Sequence, residues 1–186
     1  MVRTTRAGFT LIEMLIVIVV MGLAMMVAVP RFRVSDKTKA RQVATQLAAD
    51  LEVARSKAMA HRATVRVVFD AATNSYTGYL DFDRDNVLAQ STAERDSLHA
   101  FGTRVLPTGA SFGRAGQVDI TNFAGAGAIT FPTPQVNFDG RGLTTPVGTR
   151  GVVYVHLAAD TGAVAAVTVS GAGGVRLWTS EGGYWR

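Results

Sequence analysis

From Phe9 to Val29 the chain runs 21 residues with a single ionisable side chain, Glu13. At about 1.5 Å rise per residue a helix of that length reaches about 30 Å, the thickness of a bilayer's hydrocarbon core. The length therefore predicts a membrane span over 9–29. Arg3 and Arg6 precede it and Arg31, Arg33, Lys37 and Lys39 follow it, so raw counts leave the positive-inside rule ambiguous. The short N-terminal side is expected in the cytoplasm, because short positive ends are retained and a domain can be translocated. A removable signal peptide would carry a shorter apolar region, about 7–15 residues, ending in a small-residue cleavage site. The stretch "AVPRFRVSD" offers a poor match to such a site.

An acid in a lone span costs about 2.5 kcal/mol or more, and ionisable groups in spans are as a rule paired and functional. The span supplies no base of its own, so the partner of Glu13 has to come from another chain or from a free N-terminus at the same depth. A cut between Gly8 and Phe9 would create an α-amino group four residues before Glu13. In a stack of identical helices the amine of one subunit then meets the carboxylate of its neighbour.

The stretch "RAGFTLIEMLIVIVVMGLAMMVAVPRF" resembles the class III signal of type IV pilins and type II secretion pseudopilins. A short basic leader ends in Gly8, Phe9-Thr10-Leu11-Ile12-Glu13 follows, and an apolar helix closes near Pro30. The resemblance implies cleavage between Gly8 and Phe9 by a prepilin peptidase, N-methylation of Phe9, and assembly into a filament whose register Glu13 sets. Pro30 removes a backbone donor and kinks or ends a helix. Gly22 costs about 1 kcal/mol in a helix relative to alanine. These two are the expected helix breaks, with a helix-packing role as the equal alternative for Gly22.

Beyond Pro30 the pattern is amphipathic. Val43, Leu47, Leu51, Ala54 and Ala58 fall on one helical face and charged residues largely occupy the others, which predicts a helix to about His61. From residue 64 the period becomes 2, in "TVRVVFD", "SYTGYLDFD", "AITFP", "QVNFD", "GVVYVHLAAD", "AVAAVTVS" and "VRLWT". Asn74-Ser75 and Asp160-Thr161-Gly162 are turn signals between such runs. The stretch "VNFDGRGLTTP" and the two strands after it resemble the head of the GspH/FimT minor pseudopilins. Read without that resemblance, Gly140 and Gly142 serve a tight turn.

Composition excludes several chemistries. With no cysteine there is no disulfide framework or thiolate nucleophile. The formal charge is +5, but removing residues 1–8 leaves 17 basic against 14 acidic residues. Such a small excess gives little reason to expect a polyanion as partner. His61, His99 and His156 lack metal-ligand spacing, and no G-x-S-x-G, H-E-x-x-H or P-loop occurs, so no enzyme is expected.

Asp81, Asp83 and Asp85 alternate like the start of a calcium loop. Asn86 then stands where the loop glycine belongs, Thr92 holds the twelfth position, and Glu94 comes two residues late. A solvated acidic turn is the expectation there, with calcium as the one candidate cofactor. Arg176 and Arg186 lie among Trp178, Tyr184 and Trp185, a mixture that binds nucleic acid in some proteins. DNA-binding relatives in the FimT branch carry Gly-Arg-x-Arg, whereas Gly173-Gly174-Val175-Arg176 has glycine where the first arginine belongs. DNA is therefore not the expected partner.

The expectation is an α+β pilin-like fold in four parts: a leader 1–8, a transmembrane helix 9–29, an amphipathic helix 30–62 continuing from the span, and a β-rich antiparallel head 63–186. The expected function is that of a minor pseudopilin of a type II secretion system, in the bacterial inner membrane with its N-terminus cytoplasmic. Its expected partners are other pseudopilins, a prepilin peptidase and the inner-membrane assembly platform. The alternatives are a minor pilin of a type IV pilus, in assembly initiation or DNA uptake, and a membrane-anchored binding module.

Overall fold

The computed structural model describes residues 9–28, 35–85, 87–98, 102–123, 125 and 127–186. It divides into two compact units, Met1–Ser35 and Asp36–Arg186. In the first, α1 covers Leu11–Ala28. Apart from Glu13, the side chains described along Leu11–Met26 are apolar or glycine on every face and stay exposed, from Leu11 at 86% to Val17 at 45%. A helix hydrophobic all round needs lipid or other helices to cover it.

The second unit begins with α2, Asp36–His61, followed by β1 (Val65–Asp70), β2 (Ser75–Leu80), α3 (Thr92–Ser97), β3 (Thr103–Val105) and β4 (Ala110–Phe112). After a long connection come β5 (Gln135–Phe138), β6 (Gly151–Leu157), β7 (Asp160–Val169), β8 (Val175–Glu181) and β9 (Tyr184–Trp185). Two antiparallel sheets form, one ordered β3-β2-β1-β5 and the other β4-β6-β7-β8-β9. The helix packs on both, against β6, β7 and β8 of the larger sheet and β1 and β5 of the smaller.

The buried stripe of α2 is Ala40, Ala44, Leu47, Leu51, Ala54 and Ala58. Spacings of four and three alternate, which keeps one narrow face toward the sheets. Val43, expected on that face, is only half-buried. Four of the six stripe residues are alanine, and β7 opposes them with Ala163, Ala165 and Val167, so little side-chain bulk separates helix from sheet. The helix ends in a Schellman motif. Ala63 N–H donates to the Ala58 carbonyl and Arg62 N–H to that of Met59, with Arg62 at φ 51°.

Strand β6 is buried along nearly its whole length because its sheet is covered on both faces. Val153, Val155 and Leu157 join the α2 core, while Val152 and Tyr154 join a smaller cluster with Ile120, Phe123, Trp178 and Trp185. Strand β1, covered on one face, alternates as expected. Within the core, Phe69 stacks on Phe131 at 6.1 Å between ring centroids and meets Phe112 edge-on at 6.2 Å.

Two expectations are corrected here. The signal at Asp160-Thr161-Gly162 does not make the turn: the chain turns at Ala158-Ala159, and the signal forms an irregularity in β7 where the register shifts between His156 and Leu157. The segment "AITFP" is no strand and contributes one isolated bridge, from Ile129 to Val153. A single bridge suffices because Thr130 also exchanges hydrogen bonds with Val152 on β6.

Candidate functional site

The first turn of α1 is organised by Thr10. Its hydroxyl oxygen accepts a hydrogen bond from Glu13 N–H at 3.3 Å, and its carbonyl accepts from Glu13 and Met14 N–H at 3.1 and 3.2 Å. This is the N-cap arm of a Thr-x-x-Glu capping box. Glu13 thus stands in the first helical turn, where the positive end of the helix dipole stabilises a carboxylate by about 0.3–1 kcal/mol, a part of its cost in hydrocarbon. Among the described residues the Glu13 carboxylate meets no cation. The sequence reading took Glu13 and missed Thr10, although [ST]-x-x-[DE] before an apolar run is a capping signal in its own right.

Phe9, next to the expected cleavage point, is 73% exposed. Gly8, Pro30 and His99 lie outside the described residues. Gly22, expected as a helix break, lies inside an uninterrupted α1, and a Cβ there would meet nothing within 4 Å. One glycine costs less than the hydrogen bonds that its neighbours hold on either side. Among the described residues no helix is long and apolar enough to cross a membrane. The 18 residues of α1 reach about 27 Å, so the expected span 9–29 extends past them at both ends.

The three aspartates do come together. One carboxylate oxygen from each of Asp81, Asp83 and Asp85 lies within 4.8 Å of the others, with Asp81 buried and the other two exposed. Glu94, considered as the late loop ligand, is used elsewhere. It accepts hydrogen bonds from the N–H groups of Ser91 and Ala89 at 3.0 and 3.1 Å, while Ser91 Oγ accepts from Glu94 N–H at 3.2 Å. Ser91 and Glu94 form the complete capping box of α3.

The two arginines of the tail are both engaged. The Arg176 guanidinium lies over the Trp178 ring at 4.2 Å, and Arg186 pairs with Glu181 at 3.2 Å. Trp178 donates its indole N–H to Thr168, and Trp185 donates to the Val118 carbonyl, so these aromatics close the sheet.

The turn in "FDGRG" joins the strands to the end of α2. Asp139 accepts from the N–H groups of Arg141 and Leu143 and from the Arg141 guanidinium. Burial raises the Asp139 pKa, and these hydrogen bonds outweigh it and hold the carboxyl below its ordinary value. Gly142 sits at φ 78°, and a Cβ there would lie 2.8 Å from Met59 Sδ, while one on Gly140 would lie 2.9 Å from the Arg62 backbone. Arg55 Nε donates to the Gly142 carbonyl at 3.0 Å, and Val175 N–H donates to Glu52 at 3.3 Å. The glycines are there for close approach to the helix as well as for the turn.

A second tie lies nearer the start of α2. Asp50, 5% exposed, accepts from Tyr76 Oη at 2.6 Å and Gln46 at 3.0 Å and pairs with Arg104 at 2.7 Å. Burial, followed by the bond to Asp50, pushes the Tyr76 hydroxyl far above its ordinary pKa.

The family model for type II transport protein GspH matches residues 43–173, and the prokaryotic N-terminal methylation motif matches residues 3–29. The chain belongs to the GspH family. Its members are type II secretion minor pseudopilins, structural subunits rather than enzymes, and their assembly is with other pseudopilins. Two solved structures share the fold of this GspH-family chain. One is the minor pseudopilin EpsH from the type 2 secretion system of Vibrio cholerae, at 16% identity and TM-score 0.51, over 76% of this chain and 97% of that one. The other is the type IV minor pilin FimU of Pseudomonas aeruginosa, at 14% identity and TM-score 0.50, over 80% of this chain and 93% of that one. At such identities both show the fold alone. No curated protein matches the chain.

Proposed function

We propose that this GspH-family chain is cut between Gly8 and Phe9 by a prepilin peptidase, methylated on Phe9, and held by α1 as a single span in the bacterial inner membrane. The N-terminus faces the cytoplasm and the head the opposite side, until the assembly platform draws the subunit into a pseudopilus. There the Phe9 amine of one subunit pairs with Glu13 of its neighbour. The observation that carries this reading is the joint presence, on one chain, of the methylation motif over 3–29 and the secretion-family head over 43–173. The capping geometry supports it, because Thr10 holds the helix start while the Glu13 carboxylate keeps no cation of its own among the described residues.

Intact-mass and N-terminal analysis of the protein extracted from membranes tests the reading. The expected mature chain begins with N-methylated Phe9. A chain that keeps Met1, or that begins after Ala28, contradicts it. Gly8→Val is expected to leave the leader attached.

A further inference from the structure

Beyond residues 1–8, the positive charge of the chain is concentrated where the positive-inside rule would least place it. Residues 42–186 carry twelve basic and twelve acidic side chains, so their formal charge is zero and the whole excess of +5 lies in residues 1–41. Once residues 1–8 are removed an excess of +3 remains, and all its cations lie in the segment 31–41, five against the one acid Asp36, directly after the apolar helix that holds Glu13. On the translocated side these cations do nothing for orientation.

The described part of this segment opens α2. Lys37 and Arg41 are exposed, one helical turn apart, and line a cleft of about 150 Å³ with Thr38, Val164, Thr179 and Ser180. Neither has an ion-pair partner among the described residues; Glu181 also lines the cleft but pairs with Arg186. Lys39 is bridged to Asp36 at 2.7 Å, and its side chain remains 50% exposed. The first-turn N–H groups of a 26-residue helix add their partial positive charge at the same end. From Ala28 to Asp36 there are eight peptide steps, at most about 28 Å of chain. The start of α2 can therefore reach the surface from which α1 emerges.

We propose that Lys37, Lys39 and Arg41 dock on anionic phospholipid headgroups of the leaflet on the head side of the membrane. A juxtamembrane basic cluster gains a favourable contribution for each cation near an anionic surface. The contact holds the subunit against the bilayer and is given up when the subunit leaves it for the filament. This inference rests on the reading of α1 as a membrane anchor.

The test compares the full chain in nanodiscs of phosphatidylcholine alone and with about 30% phosphatidylglycerol, reading amide hydrogen exchange over residues 36–44. The expected result is exchange slowed about tenfold by the anionic lipid. The slowing should vanish near about 0.5 M salt, where the Debye length falls to a few ångströms. It should also vanish in the triple variant Lys37→Gln, Lys39→Gln, Arg41→Gln, which keeps helix-favouring residues on an exposed face. Equal exchange in the two discs overturns the docking, as does slowing that survives the triple variant. A chain that associates with neither disc overturns the anchor and the docking with it.

Discussion

Thr10 and Gly142 show how much depends on single side chains in this molecule. Thr10→Ala removes the N-cap acceptor of α1, and the helix start is expected to lose about 1 kcal/mol. The expected readout is faster amide exchange at Glu13 and Met14 in a micelle; unchanged exchange would mean that the cap holds nothing. Gly142→Ala brings a left-handed backbone and a contact with Met59 together, so a loss of about 1–3 kcal/mol in chemical unfolding is expected. Gly182→Ala is the control. It shares the positive φ, but nothing lies within 4 Å of its Cβ, so its cost is expected to stay near about 1 kcal/mol. Equal losses at the two positions would place the role of Gly142 in its turn and not in its approach to α2. The place of Glu13 at a helix start was legible in the sequence because it stands in register with an apolar run; its role, and that of Gly8, belong to the proposal above. Thr10 was equally legible as a capping residue and was passed over.

At the scale of elements, the longest pieces read most directly. Helix α2, strands β1, β2, β5, β6 and β8 and the body of β7 after Gly162 fall where periodicity placed them, because each buries a face large enough to leave a pattern. Strands β3, β4 and β9 have three, three and two residues, too few for an alternation to register, and pairing with a longer neighbour forms them. Helix α3 has six residues and forms around its Ser91 and Glu94 box; the stretch had been weighed for calcium instead. Helix α2 is tied to β2 and β3 through one buried group, Asp50. Asp50→Ala removes the carboxylate that Tyr76 Oη and Arg104 share. A loss of about 2–3 kcal/mol is expected, below the full value for a buried pair because Arg104 is partly exposed. Lys39→Ala, which breaks an exposed pair, is expected to cost under about 1 kcal/mol. Urea unfolding of the two variants side by side separates these outcomes.

The molecule as a whole combines an all-round apolar helix, a basic juncture and an electrically neutral head. That neutrality was not visible in the total of +5, which averages two unlike parts, and it bears on DNA. With twelve cations balanced by twelve acids in residues 42–186, and with Arg176 and Arg186 already engaged, the full chain is expected to bind DNA no tighter than about 10⁻⁴ M at physiological salt. Micromolar binding with a steep salt dependence would favour the DNA-uptake pilin instead. The fold does not discriminate, since EpsH and FimU share it with this chain about equally. The most direct test of the central claim is the amount of type II cargo reaching the culture medium in a deletion strain complemented with the wild-type chain or with Glu13→Ala. Restoration by wild type alone, with pilus-dependent motility unaffected throughout, is the predicted result. Secretion that survives the deletion while pilus-dependent motility is lost would contradict it.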